Sequence, residues 1–266
     1  MTKNNPLDNL IINGGMMNVF RNICVIGDSL SSGTFECKGS ETENVCYDNY
    51  EYSWPSQIQR ITGINISNAS CCGQTAYKLY KEADEHKGWR SEINNLFNVA
   101  NKYQAYIIAL GVNDLYATDY FDSVYKNNLG DVDKDVDLQD YNNNSQTFAG
   151  CYAKIIQRLK TIEPDSKFFL VTIPKGLGGS PEFTGCLENM CKTFTNCYLI
   201  DLFKYAPEFD DEFRKKYFIG GHMNASGYLL IAYYIMTYID WIIKNNIMDF
   251  RDIHFIGSGK DKPLYY

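Results

Sequence analysis

The sequence is poor in the features that mark several large classes of protein. It has no long run of basic residues, and its net charge of −7 disfavours nucleic acid and anionic membrane surfaces as main partners. It has no Cys-x-x-Cys pair of the kind that holds zinc. Histidine is scarce, with three in 266 residues. The N-terminus carries only a brief apolar patch at residues 10–12, so the sequence predicts no secretory signal peptide.

No apolar stretch is long enough without interruption to cross a bilayer. The most apolar segment, residues 229–243, contains Asp240 and several tyrosines and is expected to be a helix packed on a sheet. The nine cysteines are an odd number, which favours free thiols in a reducing compartment. We therefore expect a cytoplasmic protein that does not insert into membranes. The pattern leaves the oligomeric state open.

Short apolar segments alternate with helical ones along most of the chain, which has 45% hydrophobic residues. Such alternation predicts an α/β fold in which a parallel sheet lies between helices, a three-layer αβα sandwich. We expect one domain over residues 1–266, with a core at about 19–245 and a tail at 246–266. Strands are predicted at 19–26, 64–70, 105–110, 167–173 and 198–202, and helices at 53–61, 75–85, 91–101, 148–162, 182–196 and 225–245.

Two segments lack a regular pattern. Residues 35–52 are predicted to be irregular, although Glu36, Trp54 and nearby tyrosines are candidates to line a pocket. Residues 116–145 are rich in Asp and Asn and are long for a plain loop. This second segment is interpreted as a lid over the site, a dimer contact or decoration.

The first predicted strand ends abruptly in Gly27-Asp28-Ser29. A buried strand that stops at a tight turn presents the next hydroxyl at the edge of the sheet, so Ser29 is a candidate acyl-transfer nucleophile. Asp28 is expected to bond backbone N–H groups and hold this turn. Serine is a weak nucleophile alone and needs a base, a group that orients the base, and an oxyanion hole.

His222 is the candidate base, because imidazole most often serves serine near neutral pH. It precedes a predicted helix late in the chain, whereas His86 lies in a charged helix end and His254 in the tail. The oxyanion hole would use the backbone N–H of Ser29, the backbone of Gly73 and the side-chain amide of Asn113. Gly73 and Asn113 each follow a predicted strand, and carboxyl ends of parallel strands meet at one edge of the sheet.

These residues fall in motifs that resemble the GDSL, or SGNH, family of esterases and lipases. The similarity covers four blocks in order: Gly27–Leu30, Asn68–Thr75, Gly111–Asp114 and His222–Tyr228. The resemblance implies a flavodoxin-like fold with a five-stranded parallel sheet. It also implies Ser29 as nucleophile, His222 as base, and Ser29, Gly73 and Asn113 around the oxyanion.

The sequence departs from the family pattern at one position. The family usually places an aspartate three residues before the histidine to orient the imidazole, and here that residue is Ile219. The backbone carbonyl of Ile219 is the favoured substitute, giving a Ser–His dyad. A carboxylate from elsewhere is the alternative, with Asp201, Asp210 and Asp211 nearest by sequence. Catalytic impairment is the third explanation.

The expected activity is hydrolysis of carboxylic esters through an acyl-Ser29 intermediate, with no metal or organic cofactor. Short acyl groups on a carbohydrate or other small ester are the first substrate hypothesis. A lysophospholipase or thioesterase with the same chemistry is the alternative. A binding protein on the same scaffold, with hydrolysis lost, is the alternative from a different functional class.

Overall fold

A five-stranded parallel sheet forms the centre of the molecule in a computed structural model that describes residues 5–38, 44–116 and 128–258. Its strands are β1 (Asn22–Gly27), β4 (Asn65–Ser70), β5 (Ala105–Ala109), β6 (Lys167–Val171) and β7 (Cys197–Ile200). Their order across the sheet is β4-β1-β5-β6-β7. Two further pairs, β2 (Thr34–Lys38) with β3 (Asn44–Asp48) and β8 (Phe218–Ile219) with β9 (His222–Met223), form separate antiparallel hairpins.

Helices cover both faces of this sheet. They are α1 (Ser29–Ser32), α2 (Trp54–Thr62), α3 (Ala76–Glu85), α4 (Ser91–Asn94), α5 (Val112–Tyr116), α6 (Val132–Asp135), α7 (Phe148–Ile162), α8 (Pro181–Thr193), α9 (Leu202–Tyr205), α10 (Asp211–Tyr217) and α11 (Ala225–Asn245). Alternate residues of β1 enter opposite cores: Cys24 and Ile26 pack with α3, α7 and α8, whereas Ile23 and Val25 pack with α2 and α11. The predicted αβα sandwich with a five-stranded parallel sheet is confirmed.

The longest helix, α11, belongs to the core. Among the described residues it is the one helix long and apolar enough to span a bilayer, yet 72% of its most apolar window is buried inside the protein. The Asn224 side chain caps it by accepting a hydrogen bond from the Gly227 N–H. The prediction of a helix over 225–245, packed on the sheet, is confirmed.

Helix α4 is much shorter than the predicted helix over 91–101, which was wrong beyond Asn94. Asparagine side chains compete for the backbone groups that a helix would use. The Asn94 side chain bonds the Gly88 carbonyl, and the Asn101 side chain bonds the Asn95 carbonyl. This run of asparagines turns the chain instead of continuing the helix.

The prediction that residues 35–52 are irregular was also wrong, because they contain the β2–β3 hairpin. The last residue of this hairpin, Asp48, forms hydrogen bonds with residues beside the edge of the sheet. Asp48 accepts hydrogen bonds from the hydroxyls of Ser32 and Thr34 and from the Cys72 N–H. The composition of such a segment is that of a surface loop, because the sequence does not show which polar side chains form hydrogen bonds within the protein.

The two remaining segments pack on the core where they are described. Residues 128–145 lie against α7, where the Asn144 side chain bonds the Gly150 carbonyl and Gln157. The predicted tail begins with two turns of 3-10 helix, and its residues Phe250 and Ile253 are buried. The core therefore extends beyond the predicted limit at residue 245. Residues 117–127, part of the polar segment, and 259–266 lie outside the described residues.

Candidate active site

Three of the predicted site residues lie at one edge of the sheet. Ser29, Gly73 and Asn113 follow the carboxyl ends of β1, β4 and β5, respectively. Strand β1 lies between the other two, and the strand order reverses there. Ligands of open parallel sheets bind at such a reversal, outside the carboxyl ends of the strands.

The turn that presents Ser29 is held by its neighbour. The Asp28 side chain caps α1 and accepts a hydrogen bond of 3.0 Å from the Leu30 N–H, as predicted from sequence. Ser29 is 9% exposed, and its carbonyl accepts a hydrogen bond from the buried Tyr228 hydroxyl at 3.4 Å. Because Tyr228 belongs to α11, the turn is anchored to the helix that follows the candidate base.

The two oxyanion candidates beyond Ser29 are linked to each other. The Asn113 amide donates one hydrogen bond, of 2.9 Å, to the carbonyl of Gln74, the residue after Gly73. A side-chain amide has two N–H donors, so this bond orients the group, and the second donor has no hydrogen bond to another described residue. Gly73 has φ of 70°, a conformation that glycine adopts without strain.

His222 begins β9, directly after a tight turn at Gly220 and Gly221. Its Nδ1 atom lies 3.4 Å from Oε2 of Glu36 on β2 and 4.0 Å from Sγ of Cys46 on β3. The His222 and Glu36 side chains are 18% and 14% exposed, so the pair lies in a partly sheltered environment. With Nδ1 next to an acid, Nε2 is the nitrogen left for Ser29.

The two expected substitutes for the missing aspartate are placed differently. The backbone of Ile219 is paired with His222 across the β8–β9 hairpin, and its side chain is 50% exposed. Asp201 caps α9, where it accepts hydrogen bonds from the Lys204 N–H and the Thr172 hydroxyl. Asp210 caps α10 in the same way. Within the described ranges, the carboxylate found at His222 Nδ1 is that of Glu36, a candidate for the orienting role that the sequence does not suggest.

Glu36 is held in place by the loop that carries the histidine. The Gly221 N–H donates a short hydrogen bond to Glu36 Oε2, the same oxygen that approaches His222. A Cβ atom at Gly220 would collide with the Glu36 carboxylate, so glycine at this position makes room for the acid. In the hairpin, Glu36 lies opposite Cys46, and both side chains point to the same face.

Sequence reasoning placed Glu36 only as a possible pocket residue, because it lies 186 positions from His222. The signal available in the sequence is the pair of glycines before the histidine, because glycine lets a loop adopt conformations that other residues rarely adopt. The same glycines accommodate a carboxylate from a distant strand. Glu36, Cys46 and His222 also form a group whose ligand atoms all lie within 4.8 Å, close enough to hold a metal ion.

The described hydrogen bonds include none between the Ser29 hydroxyl and the His222 ring, although β9 contacts α1. Catalytic hydrogen bonds are often long in a ligand-free enzyme and shorten when substrate binds. The candidate nucleophile and the candidate base therefore lie on neighbouring elements, with no described hydrogen bond between their side chains.

Comparison with known proteins shows the family to which the chain belongs. The family model described as GDSL-like Lipase/Acylhydrolase matches residues 25–230, which include every site residue discussed above. The chain belongs to the GDSL-like lipase/acylhydrolase family. It is accordingly an ester hydrolase. No curated protein matches the chain.

Solved structures share the fold of this acylhydrolase at low sequence identity. A family two carbohydrate esterase from Clostridium thermocellum, in complex with cellohexaose, has 17% identity and a TM-score of 0.55 over 86% of this chain and 65% of that one. A carbohydrate esterase family 2 enzyme from Corynascus thermopiles (Myceliophthora fergusii) has 15% identity and a TM-score of 0.53 over 86% and 67%. Est24, a carbohydrate acetylesterase from Sinorhizobium meliloti, has 17% identity and a TM-score of 0.52 over 84% and 99%. These similarities establish the SGNH hydrolase fold.

Gly220→Ala is expected to lower the kcat/KM of the acylhydrolase by at least about tenfold, because the new methyl group displaces the Glu36 carboxylate. Gly63→Ala is the matched control. Gly63 has φ of 72° against 63° at Gly220, so backbone strain is similar, but a Cβ at Gly63 meets no atom within 4 Å. Initial rates with p-nitrophenyl acetate and thermal unfolding of both variants measure the effect. Equal activity losses in both would show that Gly220 does not act through Glu36.

Two buried carboxyl groups beside the site have pKa values above the ordinary range of aspartate. Burial raises the pKa of Asp28 to about 7 from its ordinary value of 3.8. Burial, and secondarily the charge of Asp28, likewise raises the pKa of Asp114 to about 7. Asp114 accepts a hydrogen bond from the Ala76 N–H with one oxygen, and its other oxygen has no partner among the described residues. Below neutral pH both groups are uncharged in the folded enzyme.

The acylhydrolase should therefore lose stability as the pH rises toward 8. In the unfolded chain both carboxyls lose their protons near pH 4, whereas in the folded chain they do so near pH 7. With respect to these groups, stability is greatest below pH 4, falls as the pH rises from about 4 to about 7, and changes little above that. The expected loss between pH 5 and 8 is roughly 3 kcal/mol per carboxyl. Urea unfolding at pH 5 and 8 measures the change. Asp114→Asn should reduce the pH dependence, and an unchanged dependence would contradict the assignment.

Proposed function

We propose that this enzyme hydrolyses small carboxylic esters with short acyl groups, carried on a carbohydrate or a similar polar alcohol, through an acyl-Ser29 intermediate. The observation that carries the proposal is the contact of 3.4 Å between His222 Nδ1 and Glu36 Oε2 at the sheet edge that presents Ser29. That contact supplies the acid that the sequence motif lacks. Nucleophile, base and orienting acid then come from three separate parts of the chain.

In the first half of the reaction, the Ser29 Oγ attacks the ester carbonyl while His222 Nε2 takes the hydroxyl proton. The carbonyl oxygen becomes an oxyanion, which the backbone N–H groups of Ser29 and Gly73 and the second side-chain N–H of Asn113 stabilise. The C–O bond to the alcohol then breaks, and His222 returns the proton to the leaving alcohol.

In the second half, water takes the place of the alcohol. His222 removes a proton from this water as it attacks the acyl carbonyl, and the same oxyanion donors stabilise the second intermediate. Breaking the acyl–Oγ bond releases the carboxylic acid and restores the Ser29 hydroxyl. Glu36 accepts a hydrogen bond from the Nδ1–H of His222 throughout and stays ionised, which fixes the tautomer and stabilises the imidazolium that forms in each half.

A small apolar cavity lined by sequence neighbours of Ser29 and His222 supports the preference for short acyl groups. Its volume is about 60 Å³, well below the roughly 300–1,000 Å³ of pockets that enclose drug-sized ligands. Asp28, Leu30 and Met223, which flank Ser29 and His222 in sequence, are among its lining residues. An acetyl group needs little apolar space, whereas a long acyl chain needs much more. The carbohydrate and acetyl esterases of the same fold support the sugar side of the proposal.

The alternative of a binding protein that has lost hydrolysis rested on the absence of the usual aspartate. Glu36 at His222 removes that support.

The cysteines bear on the cellular location. All nine are unpaired thiols, which agrees with a reducing compartment such as the cytoplasm.

A panel of p-nitrophenyl esters and an acetylated xylo-oligosaccharide test the proposal. We expect kcat/KM for the acetate to exceed that for the octanoate by at least roughly tenfold, and acetate to be released from the oligosaccharide. Preference for the octanoate would favour the lysophospholipase or thioesterase alternative. Rates that equal those of the Ser29→Ala variant on every ester would contradict the enzymatic proposal.

A further inference from the structure

Three metal-binding side chains meet on the Nδ1 side of the candidate base. Glu36 and Cys46 are opposite each other in the β2–β3 hairpin, and His222 lies beside both. The ligand atoms, Oε2, Sγ and Nδ1, all lie within 4.8 Å of one another. Cys46 is exposed, so an ion in solution can reach the group without a change in the fold.

The spacing of these atoms resembles that of a tetrahedral zinc site. Zinc bonds of about 2.0–2.1 Å to nitrogen and oxygen and 2.3 Å to sulfur place two tetrahedral ligands about 3.3 Å apart for N and O, and about 3.6 Å apart for N and S. The observed distances are 3.4 Å from Nδ1 to Oε2 and 4.0 Å from Nδ1 to Sγ. The sulfur atom would move closer to Nδ1 on zinc binding, and Cys46 is exposed and therefore less constrained by packing.

The chemical types of the three ligand atoms also suit zinc. Thiolate, imidazole and carboxylate together form a ligand set for zinc, a borderline-soft ion, whereas calcium and magnesium prefer oxygen ligands. Three protein ligands leave the fourth position of a tetrahedral ion to water. The Gly221 N–H, which bonds Oε2, fixes the carboxylate from behind in the way that outer hydrogen bonds usually orient metal ligands.

We propose that Zn²⁺ binds Glu36, Cys46 and His222 and reversibly inactivates the enzyme. The Cys46 thiol releases its proton to solvent as the Zn–S bond forms, and the ion loses coordinated waters in exchange for the three ligands. The Nδ1 proton leaves to solvent water while Nε2 takes up a proton from water, so the ring stays neutral, the Nδ1 lone pair bonds zinc, and the ring hydrogen is on Nε2. Nε2 therefore has no lone pair with which to take the proton of Ser29, although Ser29 itself is untouched.

The inhibitory step rests on the proposed function, but zinc binding does not. Binding is measured directly by isothermal titration with Zn²⁺ and by the thiolate-to-metal charge-transfer absorption that Co²⁺ gives when it replaces zinc. Cys37→Ser is the matched control, because Cys37 is an exposed cysteine of the same hairpin whose side chain points to the opposite face. Circular dichroism verifies that each variant is folded.

We expect Cys46→Ser and His222→Gln each to weaken Zn²⁺ binding by at least tenfold and to remove the Co²⁺ absorption, while Cys37→Ser leaves both unchanged. In ester assays, the Zn²⁺ concentration for half-inhibition should rise at least tenfold in Cys46→Ser, with each variant compared with its own metal-free rate. A chelator should restore the wild-type rate.

Wild-type binding and inhibition in Cys46→Ser would overturn the proposal. A protein that hydrolyses no ester yet shows the Co²⁺ absorption dependent on Cys46 would refute the proposed function and leave the metal site standing. Inhibition that is identical in all the cysteine variants would place the ion elsewhere and refute the site.

Discussion

Ser29→Ala is expected to lower kcat/KM for p-nitrophenyl acetate by at least about 10⁴-fold. The hydroxyl supplies the nucleophile, and loss of a serine nucleophile leaves only the weak catalysis that binding and the oxyanion donors give to water. Ser29 makes its described hydrogen bonds through its carbonyl, which the substitution keeps. The loss should therefore appear in turnover and not in thermal stability.

Ser31→Ala is the control for this substitution. Ser31 is in the same short helix and is also buried, but its hydroxyl accepts a hydrogen bond from the Trp54 indole and has no part in the proposed transfer of the acyl group. We expect this variant to lose stability, by about 1–3 kcal/mol, and to keep most of its activity. Stopped assays and thermal unfolding separate the two effects. A Ser29→Ala protein that retained a tenth of wild-type turnover would exclude Ser29 as the nucleophile.

Glu36→Gln is expected to lower kcat/KM by about 10²- to 10⁴-fold. The change keeps the shape of the side chain but removes the charge that stabilises the imidazolium of His222 in the transition state, and an amide can hold the ring in the wrong tautomer. The effect on kcat should exceed that on KM, because the charge matters only when the imidazolium forms. Glu36→Asp should recover part of the loss if the shorter acid still reaches Nδ1.

Asp201→Asn provides the comparison. Asparagine can cap α9 as aspartate does, so the fold should be kept, and we expect kcat/KM within roughly threefold of wild type. If Asp201→Asn lost activity as Glu36→Gln is expected to, and Glu36→Gln did not, the orienting acid would be Asp201. If neither variant lost activity, the base would work without a carboxylate, as in a Ser–His dyad.

Much of the fold was visible in the sequence because each element carried its own signal. The helices over 148–162 and 225–245 were predicted at their observed bounds, since a capping residue and an unbroken helical pattern mark each of them. The five strands were short apolar runs that ended at glycine or a polar turn, and their carboxyl ends bring Ser29, Gly73 and Asn113 to one edge.

The sequence does not identify Glu36 as the candidate orienting acid, and the reason is physical. Glu36 reaches His222 only because a hairpin folds over the sheet edge, and hairpin pairing between segments rich in Glu, Asn and Asp leaves no clear hydrophobic alternation. A motif that depends on neighbouring residues predicts an acid three positions before the histidine. This chain has an acid of equivalent chemistry on a strand 186 residues away.

The second function inferred for this hairpin follows from the same geometry. Strand β3 brings Cys46 to the face that carries Glu36, so the side of the imidazole away from Ser29 is bordered by an acid and a thiol. The acid alone would orient the base, whereas the acid and thiol together can bind a metal ion. Glu36 and His222 would thus take part in both catalysis and metal binding, whereas Cys46 would take part in metal binding alone.

The most direct test of the central claim is the rate at which a p-nitrophenyl phosphonate ester modifies Ser29, measured by release of p-nitrophenol and located by peptide mass spectrometry. The phosphonate attaches to the nucleophile as the acyl group would, so its rate reports the Ser29–His222–Glu36 arrangement without the deacylation step. We expect one adduct, on Ser29, which forms at least about 100-fold more slowly in Glu36→Gln and at nearly the wild-type rate in Asp201→Asn. An adduct on another residue, or equal rates in wild type and Glu36→Gln, would contradict this account.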